Sequence, residues 1–332
     1  MTTLGSTNPN MLDVVKRLDP DNKIAMIVEM LSEQNEILQD MTAVEGNLPT
    51  GHRTTVRSGY PSSTWRKLNY GVQPSKSRTV QITDSCGMLE AYAEVDKALA
   101  DLNGNTAAFR ISEDRAFLES MNQTMADALF YGDSSVDPEK FMGLAPRFSS
   151  TTAENGQNII LADSSASSSD QTSIWLVCWG ENTVHGIYPK GSMAGFKHQD
   201  LGEVTLEDAA GGKYQGYRTH YKWDIGLTVR DWRYVVRIAN IDTSRLTSDP
   251  ATSGTNLIDA MTRAIELLPS QMMGRPVFYC NRTVRSFLRR QITNKSNVNL
   301  TLDEVAGRRV LAFDDIPVRR CDAILNTEAV VS

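Results

Sequence analysis

The sequence predicts an α+β protein in which one long amphipathic helix accompanies long strands, with a separate α/β unit towards the C-terminus. Three observations carry that prediction. Phe117, Leu118, Met121, Met125, Ala128 and Leu129 form one apolar stripe, and Gly132 follows as a stop. Over residues 221–230 apolar and polar side chains alternate without a break. Residues 46–83 contain no Asp or Glu and too few large apolar side chains to build a core of their own.

The elements follow in chain order. Asp19-Pro20-Asp21-Asn22 is a turn and cap cluster, and Ile24, Ile27, Val28, Leu31 and Leu38 behind it predict an amphipathic helix ending near 42–46. The acid-free segment is punctuated by Gly51, Gly59, Pro61, Gly71 and Pro74, and it reads as a two-stranded arm whose return strand includes Val80 and Ile82. Ser112, with Glu113 and Asp114 at the positive helix end, is the expected N-cap of the long helix. About twenty helical residues span ~30 Å, the length of a spine. Residues 149–173 hold eight Ser and three Thr, so they read as loop, with a short strand at Ile159-Ile160-Leu161. The alternating strand changes apolar parity after Arg230, to Trp232, Tyr234, Val236 and Ile238, which calls for a bulge or bend near Asp231. Thr255 is read as opening a helix stopped by Pro269, Val277-Phe278-Tyr279-Cys280 as a buried strand, and Asn281 as the cap of a further helix. That helix turns Val284, Phe287 and Leu288 inward and Arg282, Arg285, Arg289 and Arg290 outward. Asp314-Asp315 makes a turn between two closing strands.

Composition excludes several function classes. No apolar run approaches the ~18 residues of a membrane helix, and the first residues have no secretory h-region. Cys86, Cys178, Cys280 and Cys321 lie too far apart for a zinc knuckle and read as buried thiols of a reducing compartment. The histidines, His52, His185, His198 and His220, have no second ligand at metal spacing. Gly191-Ser192-Met193-Ala194-Gly195 puts its serine second of five, where a nucleophile elbow needs it third, so it reads as a turn. Gly211-Gly212-Lys213 is followed by Tyr214, unlike a phosphate loop, and reads as a hairpin turn. No catalytic residues, cofactor or metal are expected, and the chain is read as a non-enzyme.

Charge is distributed unevenly. The whole chain carries −6, yet 46–83 carries six bases, Arg53, Arg57, Arg66, Lys67, Lys76 and Arg78, and no acid. That segment is +6, so the remainder is −12. A basic segment on an acidic chain points to an acidic partner, which a second copy of the same chain could supply. The arginine helix 282–290 has two readings, a solvated face or a contact to phosphate or a partner's acids.

Several stretches together resemble the major capsid proteins of tailed bacteriophages, with the Hong Kong 97-type fold shared by herpesvirus shells. They are Trp65-Arg66-Lys67-Leu68-Asn69-Tyr70-Gly71-Val72, Thr83-Asp84 with Gly87-Met88-Leu89-Glu90, and Phe130-Tyr131-Gly132. Phe141-Met142-Gly143-Leu144-Ala145-Pro146-Arg147, the strand region 223–242 and residues 316–324 belong to the same set. The resemblance runs from about residue 40 onward and is nearest to short-tailed-phage shell proteins.

The resemblance implies a domain plan: an N-terminal arm with its helix (1–45), an extended basic arm (46–83), a peripheral domain (84–254) with a spine helix at 112–131 and long strands at 214–241, an axial domain (255–315) and a returning C-terminal strand (316–332). It implies a head-shell protein that self-assembles into an icosahedral virion shell around double-stranded DNA. The expected partners are copies of itself in hexamers and pentamers, packaged DNA on the inner face, and scaffolding and portal proteins, with a cement protein left open. Assembly would take place in the host cytoplasm. The short leader implies a scaffold supplied by another protein, and no Lys–Asn crosslink of the kind some relatives form can be matched. Expected inter-subunit contacts are Arg53, Arg57, Trp65, Arg66, Lys67, Lys76 and Arg78. Arg282, Arg285, Arg289 and Arg290 are expected at the capsomer centre or facing DNA. The rival readings are a nucleic-acid-binding protein using the arm and the arginine helix, and a hydrolase built on Ser192.

Overall fold

The computed structural model describes residues 9, 33–102, 106–163, 169–208, 210–246, 256–293, 300–305 and 308–332. Its strands are β1 (Ala43–Glu45), β2 (Gly51–Gly59), β3 (Arg78–Asp96), β4 (Ile159–Leu161), β5 (Gln171–Trp179), β6 (Val184–Tyr188), β7 (Phe196–Glu207), β8 (Lys213–Val229), β9 (Val235–Asp242), β10 (Arg275–Cys280), β11 (Leu300–Val305), β12 (Arg308–Phe313) and β13 (Ile316–Arg320). The helices are α1 (Ile37–Asp40), α2 (Lys97–Ala100), α3 (Thr106–Tyr131), α4 (Leu144–Arg147), α5 (Leu257–Glu266) and α6 (Arg282–Thr293). Two compact units result. The smaller contains Met88–Ala126 and Gly195–Asp224; the larger contains Asn35–Gly87, Asp127–Ala194 and Ile225–Ser332.

The larger unit is organised around β5, every residue of which is buried. Ile174-Trp175-Leu176-Val177-Cys178-Trp179 offers apolar groups to both faces, the pattern of a strand covered on both sides. β9 and β10 pair antiparallel with β5, β13 runs parallel to β10, and β12 and β11 continue antiparallel. Helices α5 and α6 supply Leu257, Met261 and Ile265, and Val284 and Leu288, to a core shared with Leu176, Val236, Ile238, Phe278 and Val318. Each such side chain contributes about 1.5–3 kcal/mol by leaving water. Asn281 Oδ1 accepts from the Val284 N–H at 2.9 Å and fixes the start of α6. Asp314 and Asp315 both adopt positive φ, 48° and 66°, in the tight turn that pairs Phe313 with Ile316.

The C-terminal residues lock this unit with a buried polar network. Arg237, on β9, pairs with Glu328 at 2.9 Å, both nearly inaccessible to solvent. Arg237 also donates to Ser173 Oγ and to the Phe148 carbonyl, and its guanidinium lies 5.0 Å from the Trp175 ring. Tyr131 donates to Glu328 at 2.5 Å, and burial together with that carboxylate pushes the phenol far up, so its proton stays on.

In the smaller unit β7 and β8 form an antiparallel hairpin joined through Gly211, whose φ is +83°. Asp208 accepts from the Ala210 and Gly212 N–H groups and so shapes the turn. A bulge between Asp200 and Gly202 interrupts the ladder, with Gly202 at φ +69°. The α3 residues Phe117 and Met121 pack with Ala93 and Tyr221, while Phe109 packs with Val95 and Ala100. Opposite charges pair across β3 and β8: Arg218 with Glu94 at 2.6 Å and Lys222 with Glu90 at 2.9 Å.

Four local expectations are corrected. The long helix begins at Thr106, six residues before Ser112, which lies inside it with its hydroxyl buried. Thr-Ala-Ala-Phe-Arg-Ile is helix-compatible throughout, so a serine within it does not cap. Leu118, counted in the buried stripe, is exposed, because it sits one position, about 100°, away from Phe117. The long strands expected at 214–241 are present as β8 and β9, with the bend expected near Asp231 between them. A 3-10 turn, Trp232–Tyr234, separates β8 from β9, and Asp231 caps it by accepting from the Arg233 N–H. Asn256, rather than Thr255, caps α5, and Thr255 lies outside the described residues. Most of the helix expected after Asp21 also lies outside them; of its described end only Ile37–Asp40 is helical, because Asn35 bridges to Cys321 and β1 begins at Ala43.

Candidate assembly interface

Strands β2 and β3 pair antiparallel from Gly51 opposite Ser85 to Gly59 opposite Arg78. Residues 60–77 between them contain no helix or strand. Two local devices shape the segment. Tyr70 N–H donates to the Lys67 carbonyl at 3.2 Å across a turn with Asn69 at φ 69°, and Ser75 Oγ donates to the Ser62 carbonyl at 2.8 Å. Gly-Tyr-Pro and Gln-Pro flank the excursion, because proline cannot donate to a ladder.

The segment presents apolar surface to solvent. Trp65 is fully exposed, Tyr60 and Leu68 are 86% and 85% exposed, and Tyr70 and Val72 are exposed as well. Aromatic and aliphatic side chains placed together outside a core mark an interaction surface. All six bases share it. Arg53, Arg57, Arg66, Lys67, Lys76 and Arg78 are exposed, and none forms an ion pair among the described residues. Arg53 is partly held, donating from Nε to Thr83 Oγ1 while its backbone is clasped by Asn47.

The root of the arm is held by a buried ion pair. Asp84, buried on β3, accepts from Arg147 Nη2 at 2.8 Å. The same nitrogen lies 3.2 Å from the carbonyls of Met142 and Leu227, so one guanidinium ties the arm to two other segments. Gly51 is obligatory beside it, since a Cβ there would stand 2.0 Å from the Asp84 carbonyl oxygen. Asp84 and Arg147 each lie in a stretch that carried the family resemblance, yet nothing in their 63-residue separation announced the pair.

The root also joins two histidines that the sequence left unconnected. The His52 and His185 rings are 5.9 Å apart, edge to face. Burial, then His52 and Arg230, depresses the His185 imidazole to about 4, and burial and Arg230 lower His52. His198 lies against Tyr221, and His220 stacks on Tyr92 beside Glu90. Among the described residues no group of His, Cys, Asp and Glu could hold a metal ion. Ser192 sits in an exposed turn between Gly191 and Gly195, both at positive φ, and its hydroxyl donates to the Met193 carbonyl at 3.3 Å.

The arginine helix is α6. Arg282, Arg289 and Arg290 are exposed and Arg285 is half-buried. The arm 46–83 and α6 both belong to the larger unit.

A long helix, a two-stranded arm, extended strands and an α/β unit at the C-terminus define a protein of the Hong Kong 97-type capsid class. The chain belongs to the major capsid protein GP7 family, which matches residues 19–332. It is similar to a chain of the bacteriophage epsilon15 structure, with 38% identity, a TM-score of 0.76, and coverage of 100% of this chain and 99% of that one. The capsid of bacteriophage JBD30 is a more distant likeness, with 11% identity, a TM-score of 0.48, and coverage of 89% and 93%. Among curated proteins none matches the chain. The protein is thus a shell-forming major capsid protein, a component of the virion that assembles from copies of itself.

Proposed function

We propose that copies of this chain join through the 46–83 arm into an icosahedral shell of hexamers and pentamers that encloses double-stranded DNA. The observation that carries the contact is the arm itself: six bases without an ion pair among the described residues and seven exposed apolar side chains, on a segment rooted at Asp84 and Arg147. Its +6 faces a remainder of −12, so each chain offers both halves of a complementary contact. Trp65 would be the anchor, since a large aromatic surrounded by cations is the type of group that dominates interface energetics. Arg53, Arg57, Arg66, Lys67, Lys76 and Arg78 would meet the neighbour's carboxylates.

We assign the domain plan as an N-terminal arm 1–45, the basic arm 46–83, a peripheral domain 84–254, an axial domain 255–315 and a returning strand 316–332. Scaffolding and portal proteins complete the partner set, the host cytoplasm is the place of assembly, and the role is structural rather than catalytic. Charge reversal tests the contact. Arg66→Glu with Lys67→Glu leaves a folded subunit, by unchanged circular dichroism and unfolding midpoint, that forms no particles in negative stain. Normal shells from this variant would remove the arm's charge from the assembly contacts.

A further inference from the structure

We infer that the exposed face of α6 is an oxyanion site that takes phosphate groups. Arg282, Arg285, Ser286, Arg289, Arg290 and Arg320 line an open depression of about 410 Å³. Five guanidiniums, which can only donate, and one hydroxyl make a wall rich in donors. Asp322 and Glu36 are two acids in contact with this wall. Asp322 accepts a bidentate pair from Arg320, at 2.8 and 2.5 Å, and stands 3.8 Å from Arg282. Glu36 lies 4.0 Å from Arg285 and is shared with Arg319 at 3.3 Å. Asp322 thus serves Arg320 and Arg282, and Glu36 serves Arg285 and Arg319, the last also paired with Asp40 at 3.2 Å.

The wall is also pre-shaped. The bidentate contact fixes Arg320, and Arg290 is held with its guanidinium 4.9 Å from the Phe287 ring. Arg282, Arg285 and Arg289 lie at positions i, i+3 and i+7 of one helix, anchored from below by the buried Val284 and Leu288. Arg282 starts that helix, so the positive end of the helix dipole adds to the same field. Arginine forks match phosphate oxygens in pairs, and the volume accommodates more than one phosphate group. The ligand class is a chain of phosphates, either the backbone of nucleic acid or a free polyphosphate. Only the choice of nucleic acid as its source rests on the shell reading.

The test uses the full-length chain and the variant Arg289→Ala with Arg290→Ala, both of which leave the Glu36 and Asp322 contacts in place. Tripolyphosphate binding is measured by calorimetry, and binding of a 20-base-pair DNA duplex by fluorescence anisotropy across a salt series. Particle formation by wild type is scored in parallel, so failure of the shell reading is seen separately. The expected result is loss of tripolyphosphate affinity by about tenfold or more in the variant, with an unchanged unfolding midpoint. If the site meets DNA, the variant's log–log salt slope also falls by about two. A tripolyphosphate effect with unchanged duplex binding assigns the site to free polyphosphate. Absence of tripolyphosphate binding to wild type, or equal binding by the variant, overturns the proposal.

Discussion

Replacing Arg147 by methionine should loosen the arm at its root without touching any exposed residue. The substitution keeps most of the side-chain volume but removes three polar contacts: 2.8 Å to Asp84 and 3.2 Å each to the carbonyls of Met142 and Leu227. Asp84 is only 5% exposed at its side chain, so water cannot take over the lost partner. Breaking one half of a buried pair costs about 3–5 kcal/mol, most of it the uncompensated charge left behind. Asp84→Asn with Arg147→Met should therefore be less harmful than the sum of the two single changes, with a coupling of about 2 kcal/mol or more. Urea unfolding of the unassembled subunit measures all four corners of the cycle. A single-substitution cost below about 1 kcal/mol, or additive costs, would refute the view that this pair holds the arm.

Three further outcomes follow from particular contacts. Gly51→Ala should cost at least about 2 kcal/mol in the same assay, because the new Cβ meets the Asp84 carbonyl at 2.0 Å and both atoms belong to a paired ladder. Gly132→Ala should destabilise by a similar amount, since its Cβ would stand 2.5 and 2.6 Å from the Ala128 and Phe141 carbonyl oxygens. His185 gives the pH dependence: its folded value of about 4 lies below the ordinary 6.5, so folding disfavours its protonation. That contribution is complete above pH 6.5 and is lost as pH falls towards 4, by about 3 kcal/mol. His185→Gln should flatten the stability profile over that window, and an unchanged slope would dissociate the histidine from it.

What the sequence made legible was what repeats or what is missing. The α3 stripe and its Gly132 stop follow from helical spacing, and Gly132 N–H indeed closes on the Ala128 carbonyl. The arm was visible because acids and core-forming residues are absent from it, and absence is a local property of a sequence. Residues 171–173 show the opposite case. By composition they end a serine-rich loop, yet they open β5 and are buried. Their polar groups are satisfied by the chain's last residues: Thr172 Oγ1 donates to the Leu325 carbonyl, and Ser173 to Glu328. A partner about 150 positions away leaves no trace in local composition. The same holds for Arg237, a charged residue between Val236 and Ile238 that Glu328, Ser173 and Trp175 cover. It holds too for the His52–His185 contact and for the Asp84–Arg147 pair. The arginines of α6 were legible as an outward face, whereas the depression they share with Arg320 required the β13 strand to lie beside them.

Hydrogen exchange across residues 60–77 tests the central claim most directly, measured by mass spectrometry on the unassembled subunit and on purified shells. This stretch is exposed at every residue in the isolated chain and contains Trp65, Arg66 and Lys67. If the arm is completed by a neighbouring copy, its peptides exchange rapidly in the subunit and become strongly protected in the shell. Equal exchange in both states would contradict the account, leaving the arm a solvated loop and placing the assembly contacts elsewhere.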